Sequence, residues 1–341
     1  MKVLVTGSEG YIGSILVPML IEKGFEVVGL DVCFYSNGNL NRYSFPKYKL
    51  IKKDIRDVTL DDLKGQNYDA IIHLAALSND PLGILNKDLT YEINYKASVN
   101  LAYMAKKAGI SRFIFASSCS LYGASNKILT EDDEPNPQTP YGKSKILAEI
   151  DISKFADETF SPTFMRNATA CGFSPRMRFD IVVNNLTGYA QVENEIKIMG
   201  DGTPWRPLVH VKDISEAIIK VLQADRKIIH NQTFNVGDSN ENYQIKTIAQ
   251  HIQKVFNCNI SIAKKNANDT RNYIVSFQKL NNKLGYKAKY SLDDAIYELK
   301  SIYNDIQLTK NEFYHRLYNR LKQIKYLIQN NIIDKNLRKK E

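Results

Sequence analysis

No run of about 18 or more apolar residues, the length a membrane-spanning helix needs, occurs in this 341-residue chain. Cysteine is scarce: Cys33, Cys119, Cys171 and Cys258 lie far apart, with no C-x-x-C pair and no histidine cluster beside them. That spacing argues against a disulfide framework or a structural zinc site, and it fits a reducing compartment. No metal site is expected. Internal repeats and low-complexity segments are absent. Met1 to Val5 reads directly as strand-like sequence with no signal-peptide pattern ahead of it, so the expected location is cytoplasmic. Acidic residues are the minority charge, 37 against 46 Lys and Arg, for a net charge of +9. The surplus is local, because Lys310 to Glu341 holds nine Lys and Arg against three Asp and Glu. With most of the excess in one tail the remaining body is close to neutral, and nucleic acid is not the expected partner.

At this length the chain can bury a large core, and two lobes are expected rather than one. Lys2 to Thr6 is a short β-branched apolar run, followed at once by Gly7-Ser8-Glu9-Gly10-Tyr11-Ile12-Gly13. A helical pattern from Ser14 closes on Gly24, and Phe25 to Asp31 is a second strand ending in an acid. Strand, glycine turn, helix and acid-terminated strand make a dinucleotide-binding unit. The glycines let the backbone approach a pyrophosphate at the N-terminal end of the helix. Asp31 would accept hydrogen bonds from the adenosine ribose and repel a 2′-phosphate, which favours NAD over NADP.

Further along, Phe113 to Ser118 is a buried-type strand, and Pro140-Tyr141-Gly142-Lys143-Ser144-Lys145 opens a helix. Tyr141 and Lys145 are four apart, so they share a helical face. A phenol is a poor base at neutral pH, and a lysine ammonium one turn away is expected to favour the phenolate. With a hydroxyl from Ser118, the three make a device for moving a proton on or off a carbinol.

The G-x-x-G-x-x-G spacing together with Tyr141-x-x-x-Lys145 resembles the extended short-chain dehydrogenase/reductase family, whose members modify nucleotide sugars, over about residues 1–300. The resemblance implies an α/β fold: a Rossmann-type doubly wound parallel sheet with a smaller C-terminal α/β substrate-binding lobe. It implies an NAD-binding domain over 1–165 that also receives part of 205–240 and a substrate lobe over 166–307; beyond the resemblance, 308–341 reads as a basic amphipathic helix or tail. Gly7, Gly10, Tyr11, Ile12, Gly13 and Asp31 would hold NAD, with Asp54 and Ile55 at the adenine. Leu74, Ala75 and Ala76 would pass the nicotinamide ribose after a fourth strand ending at His73, itself read as structural. Asn94 matches the family's structural asparagine at the cofactor side, in a helix running from Ile93 to Gly109. Ser118, Tyr141 and Lys145 would be catalytic, with Tyr141 and Lys145 also touching the cofactor. Ser78, Ser118, Ser120, Asn167, Asn185, Arg206 and Arg271 would contact a nucleotide-diphosphate sugar. Arg206 and Arg271 are suited to the diphosphate as permanently charged planar forks.

Where the family's 4,6-dehydratases carry an Asp-Glu pair, this chain has Cys119-Ser120, so dehydration lacks its acid and base. The expected activity is an NAD-dependent nucleotide-sugar epimerase that transiently oxidises a sugar carbinol, most often at C4. Alternatives are a nucleotide-sugar 4-dehydrogenase or keto-sugar reductase with net hydride transfer, and a non-catalytic NAD-binding regulator. Arg176 and Arg178 read either as a basic loop closing over ligand or as surface charges. Trp205 packs on the base or caps its loop, and Asp213 caps a helix over Ile214 to Leu222. Helices at 94–107 and 141–156 are apolar on more than one face, which fits either burial against the sheet or the family's four-helix homodimer contact. In the tail, Phe313, Leu317, Leu321, Ile324, Ile328 and Ile332 recur at helical spacing. That stripe is expected to dock on protein rather than on an anionic membrane surface, with a frayed end over Lys335 to Glu341.

Overall fold

The computed structural model describes residues 1–40, 44–78, 80–263 and 271–340. Five early strands, β1 (Lys2–Thr6), β2 (Glu26–Asp31), β3 (Lys49–Lys52), β4 (Ala70–His73) and β5 (Arg112–Ser118), belong to one parallel sheet. Two later strands, Ser161–Asn167 and Gln232–Val236, complete it in the order 232–236, 161–167, β5, β4, β1, β2, β3. Apolar residues run without alternation through Val3, Leu4 and Val5 because both faces are covered. One face packs Val3 and Val5 on Leu16 and Leu20 of α1 (Gly13–Glu22) and on Ile218 of the helix Val211–Gln223. The opposite face packs Leu4, Ile71 and Phe115 on Leu101 and Ile152. The chain leaves β1 toward β2 on one side and later builds β4 on the other. A crevice therefore opens between them at the carboxyl ends of the strands, the place where such sheets bind ligands.

A second set of strands, Asn242–Gln244, Trp205–His210 and Thr169–Cys171, forms a small sheet beside this crevice, with Glu195–Met199 paired to Asn259–Ala263. Asn272–Val275 pairs in parallel with Ala124–Leu129, and this brings Arg271 back to the strand that follows the Ser118 loop. Among the described residues no helix is long and apolar enough to cross a membrane.

Three local expectations are corrected. Helical turns begin at Lys87, not Ile93, because the Asn86 side chain caps the segment by accepting from the Leu89 N–H. A π turn over Glu92–Lys96 then precedes the α-helix Ala97–Lys107. Asp213 does not cap its helix, which starts two residues earlier with the His210 side chain accepting from Lys212 N–H. Buried inside the first turn, the Asp213 carboxylate accepts from the backbone N–H groups of Lys289 and Tyr290 instead, at 2.9 and 3.0 Å. The tail docks on the body, but as short pieces rather than one stripe: Lys310–Phe313, Arg316–Tyr318 and Arg320–Gln329. Over the described residues 335–340 its end is not frayed. Residues 333–339 form a closed turn with Leu337 buried, and only Glu341 lies outside the described residues.

Candidate active site

A cleft of about 750 Å³ lies at the carboxyl ends of the strands, and every residue assigned in the sequence to catalysis, cofactor or substrate except Asn94 lines it. At its floor Gly7 has φ +73, and a Cβ there would sit 2.8 Å from the Ala75 backbone nitrogen. A Cβ on Gly13 would stand 2.4 Å from the Gly7 carbonyl oxygen, so the turn closes this tightly only with glycine at both places. Helix α1 opens from that turn with no side chain capping its first N–H groups. Ser14 and Ile15 N–H meet the Gly10 and Ile12 carbonyls, and the positive end of the helix still favours an anion beside the turn. Tyr11 contributes mainly backbone here, because its hydroxyl donates to Gly172 O at 2.6 Å and so ties the turn to the second lobe. Asp31 sits at the end of β2 and accepts from the Glu9 and Cys33 N–H groups, while burial pushes its carboxyl upward. Glycine turn, uncapped helix start and a half-buried accepting carboxylate are a set of groups that fits a dinucleotide.

Asn94 lies behind this wall. Its side chain accepts from Leu77 N–H at 2.7 Å and donates to Leu77 O at 3.1 Å, holding the segment that carries Leu74 to Ser78. His73 is structural as read: its ring nitrogens meet Thr6 Oγ1 at 2.6 Å and Ser98 Oγ at 2.8 Å, and burial pushes its pKa down to about 3. Asp54 lines the cleft, but its carboxylate is taken up by Arg56, with Nη2 at 2.6 Å.

The helix Pro140–Ser153 carries Tyr141 and Lys145. Thr139 caps it, accepting from Gly142 N–H at 3.1 Å, and Pro140 occupies the first turn, where no donor is lost. The Thr139 hydroxyl also donates to Asp80, whose carboxylate pairs with Arg271 at 2.5 Å. Burial, and then the Asp80 charge, push the Tyr141 phenol up to about 12, while hydrogen bonding from Ser118 and the charges of Arg178 and Arg271 act the other way. Lys145 sits one turn further on the same helix, with its Nζ 5.9 Å from the Tyr141 ring centre. Its ammonium donates to Ala116 O at 2.7 Å and lies 4.7 Å from the Phe115 ring centre, and burial lowers its own pKa to about 8. Ser118 Oγ donates to Ser120 Oγ at 3.0 Å, so the two hydroxyls form one polar edge. Cys119 is fully buried with its thiol on Arg166 O.

On the substrate side, Arg206 donates to Arg271 O at 2.7 Å, which sets the two arginines side by side on the cleft wall. Asn167 lines the cleft with its Oδ1 buried and unpaired, and it suits a hydroxyl donor. Asn185 lines it too, anchored by donation to Phe179 O at 2.8 Å, whereas Asn184 is spent on Gly172. Neither arginine of the 176–178 loop is a surface charge. Arg176 pairs with Glu9 of the glycine turn at 2.6 Å. Arg178 pairs with Asp180 at 2.8 Å, reaches Ser78 Oγ at 3.3 Å, and keeps a buried Nη2 without a partner in the cleft wall. Trp205 donates its backbone N–H to Asn272 Oδ1 at 2.9 Å and is not part of the cleft lining among the described residues. Asp80 is the residue that sequence reasoning missed, because its role comes from partners far along the chain and no spacing announces it.

A family model described as NAD dependent epimerase/dehydratase family matches residues 3–237. The chain belongs to this family of NAD-dependent enzymes. It is 29% identical over 318 residues to a UDP-glucose 4-epimerase of Lactobacillus helveticus, covering 87% of this chain and 95% of that one. To the UDP-glucose 4-epimerase of Neisseria meningitidis serogroup C it is 31% identical over 266 residues, covering 69% and 77%. The solved structure of UDP-glucuronic acid 4-epimerase from Bacillus cereus, in complex with UDP-glucuronic acid and NAD, superposes with a TM-score of 0.77 at 25% identity, covering 89% of this chain and all of that one.

Proposed function

We propose that this protein is a nucleotide-sugar 4-epimerase that uses Ser118, Tyr141 and Lys145 as its proton-handling set. The observation that carries the reading is the meeting in one cleft of that set with an uncapped glycine-turn helix and the Arg206–Arg271 pair. The glycine turn and Asp31 would hold NAD, which would supply the hydride acceptor for the reversible oxidation of the sugar carbinol. Tyr141 takes the hydroxyl proton from that carbinol and gives it back, and Ser118 donates a hydrogen bond to the same oxygen. Burial and the Asp80 charge disfavour the Tyr141 phenolate, while Ser118, Arg178 and Arg271 act the other way. Arg206 and Arg271 would hold the diphosphate, Asn167, Asn185, Ser78 and Ser120 the sugar. Buried Cys119 beside Ser120 offers no acid–base pair for eliminating water.

The enzyme is further proposed to act as a cytoplasmic homodimer. Tyr103 on one helix, and Leu147 and Ile150 on the catalytic helix, are exposed apolar side chains on neighbouring elements of the first lobe. All four cysteines are free thiols, in keeping with a reducing compartment. Incubation with NAD and a panel of nucleotide sugars tests the activity. A changed sugar configuration with no lasting NADH is expected. Stoichiometric NADH accumulation would make the protein a dehydrogenase instead, and no reaction with any nucleotide sugar would reject the family activity for this chain.

A further inference from the structure

The residues after Leu308 lie beyond the family match, yet they return to the dinucleotide end of the cleft. The helix Arg320–Gln329 sinks Ile324 and Leu327 into the apolar cluster that holds Ile55 and Ile93. At its start Arg320 and Asn319 line the cleft, with the Arg320 guanidinium 4.2 Å from the Tyr35 ring centre and the Arg320 backbone N–H donating to Asp180. Beyond the helix the chain doubles back. Ile333 bridges Lys339, Asp334 N–H donates to Arg338 O at 2.8 Å, and the Asp334 carboxylate accepts from the N–H groups of Asn336 and Arg338. Leu337 stands in this turn at φ +58, a left-handed conformation that leucine rarely adopts. Such a conformation persists where its surroundings over-determine it, and ligand clamps are one such place.

Two arginines fasten the turn. Arg56 donates to Asn336 O at 2.9 Å while holding Asp54, and Arg338 reaches Asp57 at 2.6 Å and Asp54 at 3.4 Å. Both nearby carboxylates are thereby committed to ion pairs. At this turn Leu337 lines the cleft and, 2% exposed, shares an apolar cluster with Ile55, another lining residue. A flat apolar group with polar edges, such as a purine, suits that surface.

We propose that the C-terminal segment is a wall of the dinucleotide site, with Leu337 and Ile55 presenting the apolar surface for the adenine and Arg320 closing the flank beside Tyr35. The proposal rests on the reading of this cleft as the NAD site. It gives the tail a function: to slow departure of a cofactor that an epimerase uses repeatedly without net change.

The test is NAD binding, not turnover. Purified full-length protein, freed of nucleotide, is titrated with NAD by calorimetry, and NAD dissociation is followed by stopped-flow displacement. Leu337→Ala and Arg338→Ala are compared with it, as is a chain ending at Asn330 that keeps the docked helix. Circular dichroism and melting without NAD confirm that each variant is folded. Loss of the leucine side chain is expected to weaken NAD about tenfold, through faster release. Arg338→Ala, changed at the half-exposed fastening, should release NAD faster with the apolar contact intact. Wild-type binding with unchanged release in all three variants would overturn the proposal. So would tighter binding by the shortened chain, which would make the turn a competitor for the cleft. If the wild-type protein itself binds no NAD, the cofactor reading fails, and this inference with it.

Discussion

Tyr141, the phenol proposed to handle the proton, shows what a side chain owes to its neighbours in space. The four-residue spacing to Lys145 gave their shared helical face, because that relation is local. The acidity of the phenol was not legible, since it depends on Asp80, Arg178 and Arg271, which only the folded chain brings near. Tyr141→Phe is expected to cut turnover by about 10²–10⁴-fold while NAD remains bound, as measured by epimerisation rate and calorimetry. Asp80→Asn removes a charge that raises the phenol's pKa, so the ascending limb of single-turnover sugar oxidation should move to lower pH. An unmoved limb would detach Asp80 from the chemistry. Lys145 predicts effects of opposite sign on activity and stability. Burial lowers its pKa to about 8, and with loss of the ammonium that favours the Tyr141 phenolate kcat/KM is expected to fall as pH rises through that value. Between that value and its ordinary 10.5, the unfolded chain binds more protons at this lysine than the native one does. Its contribution to stability therefore rises with pH there, and comparing urea unfolding of wild type and Lys145→Met at two pH values measures it.

Elements were legible where their signals were short-range. The glycine turn, the strand ending in Asp31 and the capped catalytic helix follow from residues within a few positions of each other. The tail was misread as one stripe because its apolar residues serve different surfaces. Phe313 packs on Phe179 and Tyr189 of the second lobe, whereas Ile324 enters the core of the first, and the chain must turn between them. A second hidden relation joins the catalytic helix to the strand Ser161–Asn167. Glu149 and Arg166 form a buried pair at 2.7 Å, with the Ser117 hydroxyl also on Glu149 and the Tyr122 hydroxyl on Arg166. Replacing Glu149 with Ala strands a buried guanidinium, and a loss of about 3–5 kcal/mol in denaturant unfolding is expected. A loss below about 1 kcal/mol, typical of a surface pair, would mean water reaches that site.

At the scale of the whole molecule, the exposed apolar residues on the two helices argue for a partner of the same kind. Ile150→Glu places a charge in that face, and sedimentation should find the wild type dimeric and the variant monomeric at equal concentration. A wild type that sediments as a monomer would return those side chains to the ordinary surface. The large sheet carries another consequence, concerning the order in which the protein is made. The strand Ser161–Asn167 is buried along its whole length, yet its outer neighbour is Gln232–Val236. Between them the chain leaves to build strands of the small sheet at Thr169–Cys171 and Trp205–His210. During synthesis the nucleotide-binding half must therefore wait, with an apolar sheet edge open, until much of the other lobe has emerged. The two lobes form a single folding unit, and a fragment cut between them would be prone to aggregate.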